Sequence, residues 1–275
     1  MPLQQIISMC LLCKFAMTVW KIILKKSQEV RGLLNIITAE FMKIKNNKMI
    51  YICSFIAVII PVLIVIKDLF YLTGVQRVGI DAWINSIVSI VLLSVYPVLS
   101  GFIITYLIQK EYGDQTIINT LTAPTSRTSF LLSKVIVWAL WHISATIICL
   151  LITYVGCCIL FPAHFSVDIV IKIAVLFFKC SILNFVSLLP VLWVTIKQKK
   201  VFYPSLLICL LFVIIGVGSM NMPIALASIL PWSAVMVLCS YETINIYYLI
   251  GVFSLSICGF ASFILSIGSF KYQNL

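Results

Sequence analysis

The sequence predicts an all-α, polytopic integral membrane protein. Hydrophobic residues make up 63% of the 275 residues and charged residues only 10%, whereas a soluble domain is roughly half apolar and a quarter charged. The apolar residues form runs long enough to cross a hydrocarbon core of about 30 Å as helices. The net charge of +11 would suggest nucleic-acid binding in a soluble chain, but here the basic residues flank the apolar runs. That placement is typical of membrane orientation signals.

The first 33 residues carry an apolar run that two lysines interrupt. The charge order is wrong for a signal peptide, because no basic start precedes the apolar part. We interpret residues 1–33 as a cytosolic extension, either lying on the membrane or poorly ordered. A second hypothesis is that the extension is not native, since Gln28-Glu29-Val30 can be encoded by codons that resemble a bacterial ribosome-binding site. Leu33 and Leu34 would then mark alternative start codons.

Residues 34–48 predict an amphipathic helix at the membrane surface. Leu34, Ile37, Phe41 and Ile44 recur three and four residues apart, with lysines on the other faces. The apolar side would enter lipid and the lysines would face anionic headgroups.

Six apolar runs then predict six transmembrane helices, of which the fifth is only marginally long enough to cross. The predicted spans are 49–66, 84–108, 135–161, 169–196, 201–217 and 246–268. Six crossings place both ends of the chain on one side. Of the 19 lysines and arginines, only Lys67 and Arg77 fall in the loops on the opposite side, so the N- and C-termini are expected in the cytoplasm.

Between the fifth and sixth spans, residues 222–239 are apolar but carry Pro223 and Pro231. The prolines divide this stretch into two pieces that are each too short to cross a membrane. We predict an outer re-entrant hairpin, buried against protein because lipid does not tolerate exposed broken backbone. The alternative is a seventh span kinked at Pro231, which would place the C-terminus outside.

The loop between the second and third spans is the longest polar-rich interval between two apolar runs. Polar residues recur at helical spacing over 111–123, which predicts a short amphipathic helix that is too polar to cross. Pro124 would end this helix and Ser126 would cap a new helix beginning at Arg127. Arg127 and Lys134 lie seven residues apart and therefore on one helix face. We expect both cations to reach lipid phosphates or an acidic partner.

The order of residues in this loop resembles the first cytoplasmic loop of type-2 ABC exporter permeases. The residues that carry the resemblance are Glu111, Thr116, Leu121, Pro124, Ser126, Arg127 and Lys134. Ala39-Glu40-Phe41-x-Lys43 similarly resembles the elbow helix of that family, and the resemblance extends over about residues 34–275. It implies that the loop is a coupling helix, with Glu111 through Arg127 docking on a separate ATP-binding subunit. A solvated loop with an ordinary capping turn is the alternative.

The resemblance also implies the protein's role and partners. Residues 34–48 would be the elbow and residues 49–275 a six-span permease domain, which pairs with a second permease subunit, identical or related. The sequence lacks Gly-x-x-x-x-Gly-Lys-[Ser/Thr], so no cofactor is expected in this chain, and ATP and magnesium would bind the partner subunit. The cargo would be an amphiphilic peptide, antibiotic or lipid-like molecule leaving the membrane or cytoplasm. The family branch resembled is that of bacterial bacteriocin and peptide-antibiotic self-protection permeases, in the plasma membrane.

Lys179 is the basic residue placed well inside a predicted span, and Asn184 follows it. Charges inside a membrane usually face an aqueous path, so these two residues are candidates for a path that accepts an acidic or phosphate-bearing ligand. The alternative is that Lys179 extends to the headgroups from the outer part of a long helix.

Enzymatic motifs are missing from the sequence, which contains no His-Glu-x-x-His and no Gly-x-Ser-x-Gly. The remaining enzyme hypothesis is an integral-membrane peptidase, or another membrane enzyme, that uses a Cys/His pair, for which His142 and Cys149 are the local candidate. The ten cysteines lie mostly inside apolar runs, Cys180 among them. We expect them to act as small hydrophobic residues, with no metal site.

Overall fold

The computed structural model describes residues 27–45, 47–72, 74–75, 79–113, 127–163, 166–198, 201–240 and 244–273. Helices account for nearly all of these residues, and no strand occurs among them. The prediction of an all-α polytopic membrane protein is therefore confirmed.

The helices follow one another in the predicted order. The elbow helix α1 is Ser27–Lys45, and span 1 is α2, Lys48–Phe70. Span 2 consists of α3, Ile80–Ile87, a π-helical stretch, Val88–Val95, and α4, Tyr96–Gly113. Span 3 is α5, Arg127–Leu160, and span 4 consists of α6, Val167–Ser187, and α7, Leu189–Gln198. Span 5 is α8, Tyr203–Gly218, followed by a 3₁₀ turn, Ser219–Asn221. The hairpin consists of α9, Ile224–Ile229, and α10, Pro231–Ser240, and span 6 is α11, Ile246–Lys271.

Within the described ranges, five helices, spans 1 to 4 and span 6, are long and apolar enough to cross a membrane. Span 5 has 16 residues, or about 24 Å as a helix, in line with the marginal length expected for the fifth run. Large apolar side chains such as Phe55, Leu207 and Phe253 are exposed on the outside of the bundle. Exposed apolar side chains are expected where lipid surrounds a bundle.

Two helix starts follow directly from capping chemistry. Asn47 accepts a hydrogen bond from the Met49 backbone N–H at the start of span 1. Asn245 does the same for Tyr248 at the start of span 6. These side chains satisfy backbone donors that have no partner within the helix.

The π-helical stretch in span 2 ends where Pro97 lacks a backbone N–H. The Tyr96 N–H bonds the Val91 carbonyl five residues back, so the equivalent partner of the Leu92 carbonyl would be residue 97. Proline cannot donate this bond. The Asn184 side-chain amide of span 4 donates to the Leu92 carbonyl instead, at 2.5 Å. This bond replaces the backbone donor that the Leu92 carbonyl lacks.

Span 4 is interrupted between Ser187 and Leu189. The Val191 N–H bonds the Leu188 carbonyl, three residues back, rather than the Ser187 carbonyl. The freed Ser187 carbonyl accepts a hydrogen bond from the Trp232 indole N–H of the hairpin, at 3.0 Å. The hairpin therefore completes the backbone bonding of span 4.

The hairpin breaks before Pro231, as the sequence predicted. Trp232, near the start of α10, lies against Ser187 and stacks on Phe212 of span 5 with ring centroids 3.7 Å apart. Cys239, near the end of α10, contacts Cys180, which lies two turns earlier in span 4. Helix α10 therefore runs opposite in direction to span 4, as a hairpin that returns to the side it entered would require.

Cys180 and Cys239 form a disulfide. The expectation that Cys180 acts only as a small hydrophobic residue is wrong. The cause is the hairpin, which brings a cysteine 59 positions away beside span 4, a contact that spacing along the chain does not indicate. The other described cysteines are free, and Cys53, Cys149, Cys157 and Cys209 are buried as predicted.

Gly101 and Gly259 are two of the positions at which close helix packing requires glycine. A Cβ atom at Gly101 of span 2 would collide with the Cys209 sulfur of span 5. At Gly259 of span 6 it would lie 2.6 Å from the Val186 side chain of span 4. These approaches bring the spans together without larger side chains between them.

Candidate functional site

The polar loop between spans 2 and 3 is described only at its ends. We call residues 111–127 the coupling segment. Thr116, Leu121, Pro124 and Ser126 lie outside the described residues, whereas Glu111 and Arg127 are described. Glu111 belongs to the last turn of span 2, which ends at Gly113, and span 3 begins at Arg127 as the sequence predicted.

Four charged side chains meet beside the two ends of the coupling segment, and we call Glu40, Lys43, Glu111 and Lys134 the charge cluster. The Lys134 ammonium bonds Glu40 and also Glu111, the latter at 2.6 Å. The Lys43 ammonium lies 2.8 Å from Glu111 and 3.1 Å from Glu40. Two cations thus share two carboxylates across three elements, the elbow helix, span 2 and span 3.

Burial makes the charge cluster energetically important. Glu40, Glu111 and Lys134 are all buried, Lys134 at 1% exposure. Charges taken out of water are tolerated when they are paired and hydrogen-bonded, and removing one partner of such a pair typically costs about 3–5 kcal/mol. The balanced charge of the cluster therefore holds the elbow helix against the first turns of span 3 and the last turn of span 2.

Lys43 is the more accessible cation, and it lies outside the spans. Burial lowers the pKa of Lys43, but its hydrogen bond to Glu111 and the charges of Glu40 and Glu111 outweigh burial and raise the pKa above the ordinary value of 10.5. Lys43 therefore stays protonated at neutral pH, and its pairing stabilises the fold up to strongly alkaline pH.

The expected surface role of the two span-3 cations is wrong for Lys134. Its ammonium points into the charge cluster rather than toward lipid phosphates. Arg127 donates from Nη1 to the carbonyls of Lys271 and Gln273, at 3.1 and 2.8 Å. The spacing of seven residues placed both cations on one face of span 3, but it carried no information on the elbow helix, span 2 and span 6, which supply their partners.

The two substrate-path candidates are not brought together in one cavity. Lys179 lines a groove of about 710 Å³ between span 2, span 4 and α10, and its ammonium lies 5.5 Å from the centroid of the Tyr248 ring. Asn184 lies at another cavity, where it bonds the Leu92 carbonyl.

The groove changes in character along its length. Its charged residues include Asp81, Asp168 and Lys172 near the start of spans 2 and 4, and Asp81 pairs with Lys172 at 2.9 Å. Leu93 and Met236 line its other end. Such a groove can hold a molecule with one polar and one apolar part.

The candidate Cys/His pair is not assembled as a catalytic pair. Ser100 Oγ and the Ser181 carbonyl each lie 3.2 Å from a ring nitrogen of His142, so both nitrogens are occupied. Cys149 is fully buried. Among the described residues, no group of three or more histidine, cysteine, aspartate or glutamate side chains could hold a metal ion.

Sequence reasoning missed Glu40, Gln273 and Asp68 as contact-forming residues. Glu40 entered only the elbow pattern, although it pairs with both lysines of the charge cluster, as Glu111 does. Asp68 accepts a hydrogen bond from the Trp83 indole N–H at 2.8 Å. The available signal for Glu40 was that it is the single acid in the otherwise basic stretch 34–48.

Two comparisons with known proteins agree with this architecture. A family model described as ABC-2 family transporter protein matches residues 36–218, which include residues 36–45 of the elbow helix, the charge cluster and spans 1 to 5. The chain is also 30% identical over 151 residues to the bacitracin transport permease protein BCRB of Bacillus licheniformis. That match covers 55% of this chain and 71% of the relative. The chain belongs to the ABC-2 transporter family, as a multi-pass permease subunit rather than an enzyme, and this family works with an ATP-binding subunit.

Proposed function

We propose that the chain is the membrane-spanning subunit of an ATP-driven exporter, and that its separate ATP-binding subunit docks on the coupling segment. Thr116, Leu121, Pro124 and Ser126 would form the docking part, with Glu111 and Arg127 at its two ends. ATP and magnesium would bind the partner, because this chain lacks the phosphate-binding motif that nucleotide hydrolysis needs.

The charge cluster is the observation that carries this proposal. It joins the last turn of span 2 and the second turn of span 3 to the elbow helix. The two helices that border the coupling segment are therefore both bound to the elbow helix by ion pairs. Breaking a buried pair costs several kcal/mol. A force applied between the ends would therefore move the three helices together rather than deform the loop locally.

The substrate we propose is an amphiphilic peptide, antibiotic or lipid-like molecule, moved out of the membrane or cytoplasm. The groove beside Lys179 supports this class, because its volume of about 710 Å³ lies within the range of ligand sites, about 300–1,000 Å³. Its polar and apolar ends would suit the two parts of an amphiphile. The relative named as a bacitracin transport permease supports a role in bacteriocin immunity or antibiotic resistance.

The complete exporter would contain a second permease subunit, identical or related, in a bacterial plasma membrane. The side of the bundle that carries the coupling segment would face the cytoplasm, and we call it the inner side. The distribution of lysine and arginine supports this orientation.

The test of docking compares two substitutions in the coupling segment. Leu121→Asp places a charge on the apolar side of the predicted short helix, where an unpaired desolvated charge costs several kcal/mol. Thr122→Ala changes the polar side and is the matched control, with an expected effect within about 0.5 kcal/mol. The ATP-binding subunit should co-purify with Thr122→Ala and be lost from Leu121→Asp. Retention by Leu121→Asp together with normal export would show that the coupling segment is not the docking site.

A further inference from the structure

Gln273 lies two residues beyond the end of span 6, and its side-chain amide joins two other spans. Its Oε1 accepts a hydrogen bond from the Tyr112 hydroxyl of span 2, at 2.5 Å. Its Nε2 donates to the Ile196 carbonyl of span 4, at 3.1 Å. One side chain therefore connects spans 2 and 4 to the end of span 6.

The other end of the coupling segment bonds the same short stretch. Arg127 Nη1 donates to the Lys271 and Gln273 carbonyls, at 3.1 and 2.8 Å. Carbonyls at the end of a helix have no partner within the helix, and a cation there is favourable. Tyr112 and Arg127, which flank the undescribed part of the segment, thus converge on Gln273.

The inner end of span 6 is packed against spans 3 and 4. The Phe130 ring of span 3 and the Phe270 ring of span 6 stack with centroids 5.8 Å apart. The Trp193 indole N–H of span 4 donates to the Ser269 hydroxyl of span 6, at 3.1 Å. The inner ends of spans 4 and 6 therefore form one block, and Gln273 lies between this block and the coupling segment.

From these contacts we infer that Gln273 is a positioning residue, through which a displacement of the coupling segment reaches spans 4 and 6. The inference rests on the proposed docking of an ATP-binding subunit at that segment. The charge cluster has a different role, because its ion pairs connect the segment to the elbow helix, whereas the Gln273 side chain bonds spans 2 and 4. Docking and transmission are therefore separable by substitution.

The experiment uses the complete complex, reconstituted in vesicles with its ATP-binding subunit, and measures the amount of bacitracin exported per ATP hydrolysed. Tyr112→Phe and Gln273→Ala each remove the hydrogen bond between these residues. We expect each to lower export per ATP at least about fivefold, with the ATP-binding subunit still bound. Tyr272→Phe is the matched control, because it removes a hydroxyl from an exposed neighbouring tyrosine and should leave the ratio unchanged.

A double variant tests whether the two single changes act through the same contact. Tyr112→Phe combined with Gln273→Ala should be no worse than Gln273→Ala alone, because Gln273→Ala already removes the bond to Tyr112 together with the bond to Ile196. Gln273→Glu keeps the acceptor for Tyr112 but cannot donate to Ile196, and it should also lower the ratio. An unchanged ratio in Tyr112→Phe and Gln273→Ala would overturn the inference. A variant that loses the bound subunit or its thermal stability, while export per ATP stays unchanged, would also overturn the inference, because the contact would then only support the structure. Failure of the proposed function differs from both, because wild-type protein would then not retain the ATP-binding subunit.

Discussion

Replacing Lys134 by methionine is the substitution that most severely disturbs the charge cluster. Methionine keeps much of the side-chain length but leaves Glu40 and Glu111 buried with one remaining cation, Lys43, which is 46% exposed in its side chain. Removing one partner of a buried pair typically costs about 3–5 kcal/mol. We therefore expect a loss of about 3–5 kcal/mol in the free energy of unfolding.

The assay is denaturation by sodium dodecyl sulfate in mixed micelles, at pH 7, with Lys45→Met as the control. Lys45 is an exposed lysine of the same elbow helix, so its loss should change stability by no more than about 0.5 kcal/mol. Adding Glu40→Gln to Lys134→Met removes one uncompensated charge and should recover part of the lost stability. If Glu40→Gln lowers the stability of Lys134→Met by as much as it lowers the stability of the wild type, the argument from charge balance is refuted.

Further predictions concern topology and the two substrate-path candidates. Asn221 and Ile244 flank the hairpin and are exposed. Cysteines placed at these two positions should both react in intact cells with a reagent that cannot cross membranes, whereas a cysteine at Lys45 should not react. Protection of position 244 alone would favour a seventh span. Asn184→Leu should cost about 1–3 kcal/mol of stability, because a span-2 carbonyl loses its donor, and an unchanged unfolding midpoint with reduced export would instead indicate a substrate contact. Lys179→Met should reduce export while leaving stability and binding of the ATP-binding subunit as in wild type; normal export would remove Lys179 from the substrate path.

The sequence predicted the features that depend on local chemistry. Pro231 divides the hairpin because proline cannot donate a backbone hydrogen bond, and span 3 begins at Arg127 after the proline and serine that precede it. Long apolar runs predicted the spans because a bilayer sets their length. The predicted elbow boundary at residue 34 differs from the helix, which begins at Ser27 and continues past that position.

The features that depend on contacts between distant segments were not predicted. Lys134 lies 94 residues from Glu40, and nothing in the spacing of either residue indicates that they pair. The disulfide between Cys180 and Cys239 and the bond from Asn184 to span 2 have the same origin, since each depends on how helices pack. The amphipathic pattern of residues 34–48 predicted lysines facing lipid headgroups, whereas Lys43 pairs within the protein because Glu111 lies opposite.

The proposed docking of an ATP-binding subunit on the coupling segment, from the inner side, can be tested by photo-crosslinking in native membranes. Benzoylphenylalanine is placed at Leu121 and, as a control, at Tyr71, an exposed residue beyond the other end of span 1. We expect the adduct at position 121 to contain the ATP-binding subunit and the adduct at position 71 to lack it. Recovery of that subunit from position 71, or its absence from position 121 while export is active, would show that the subunit does not dock on the coupling segment.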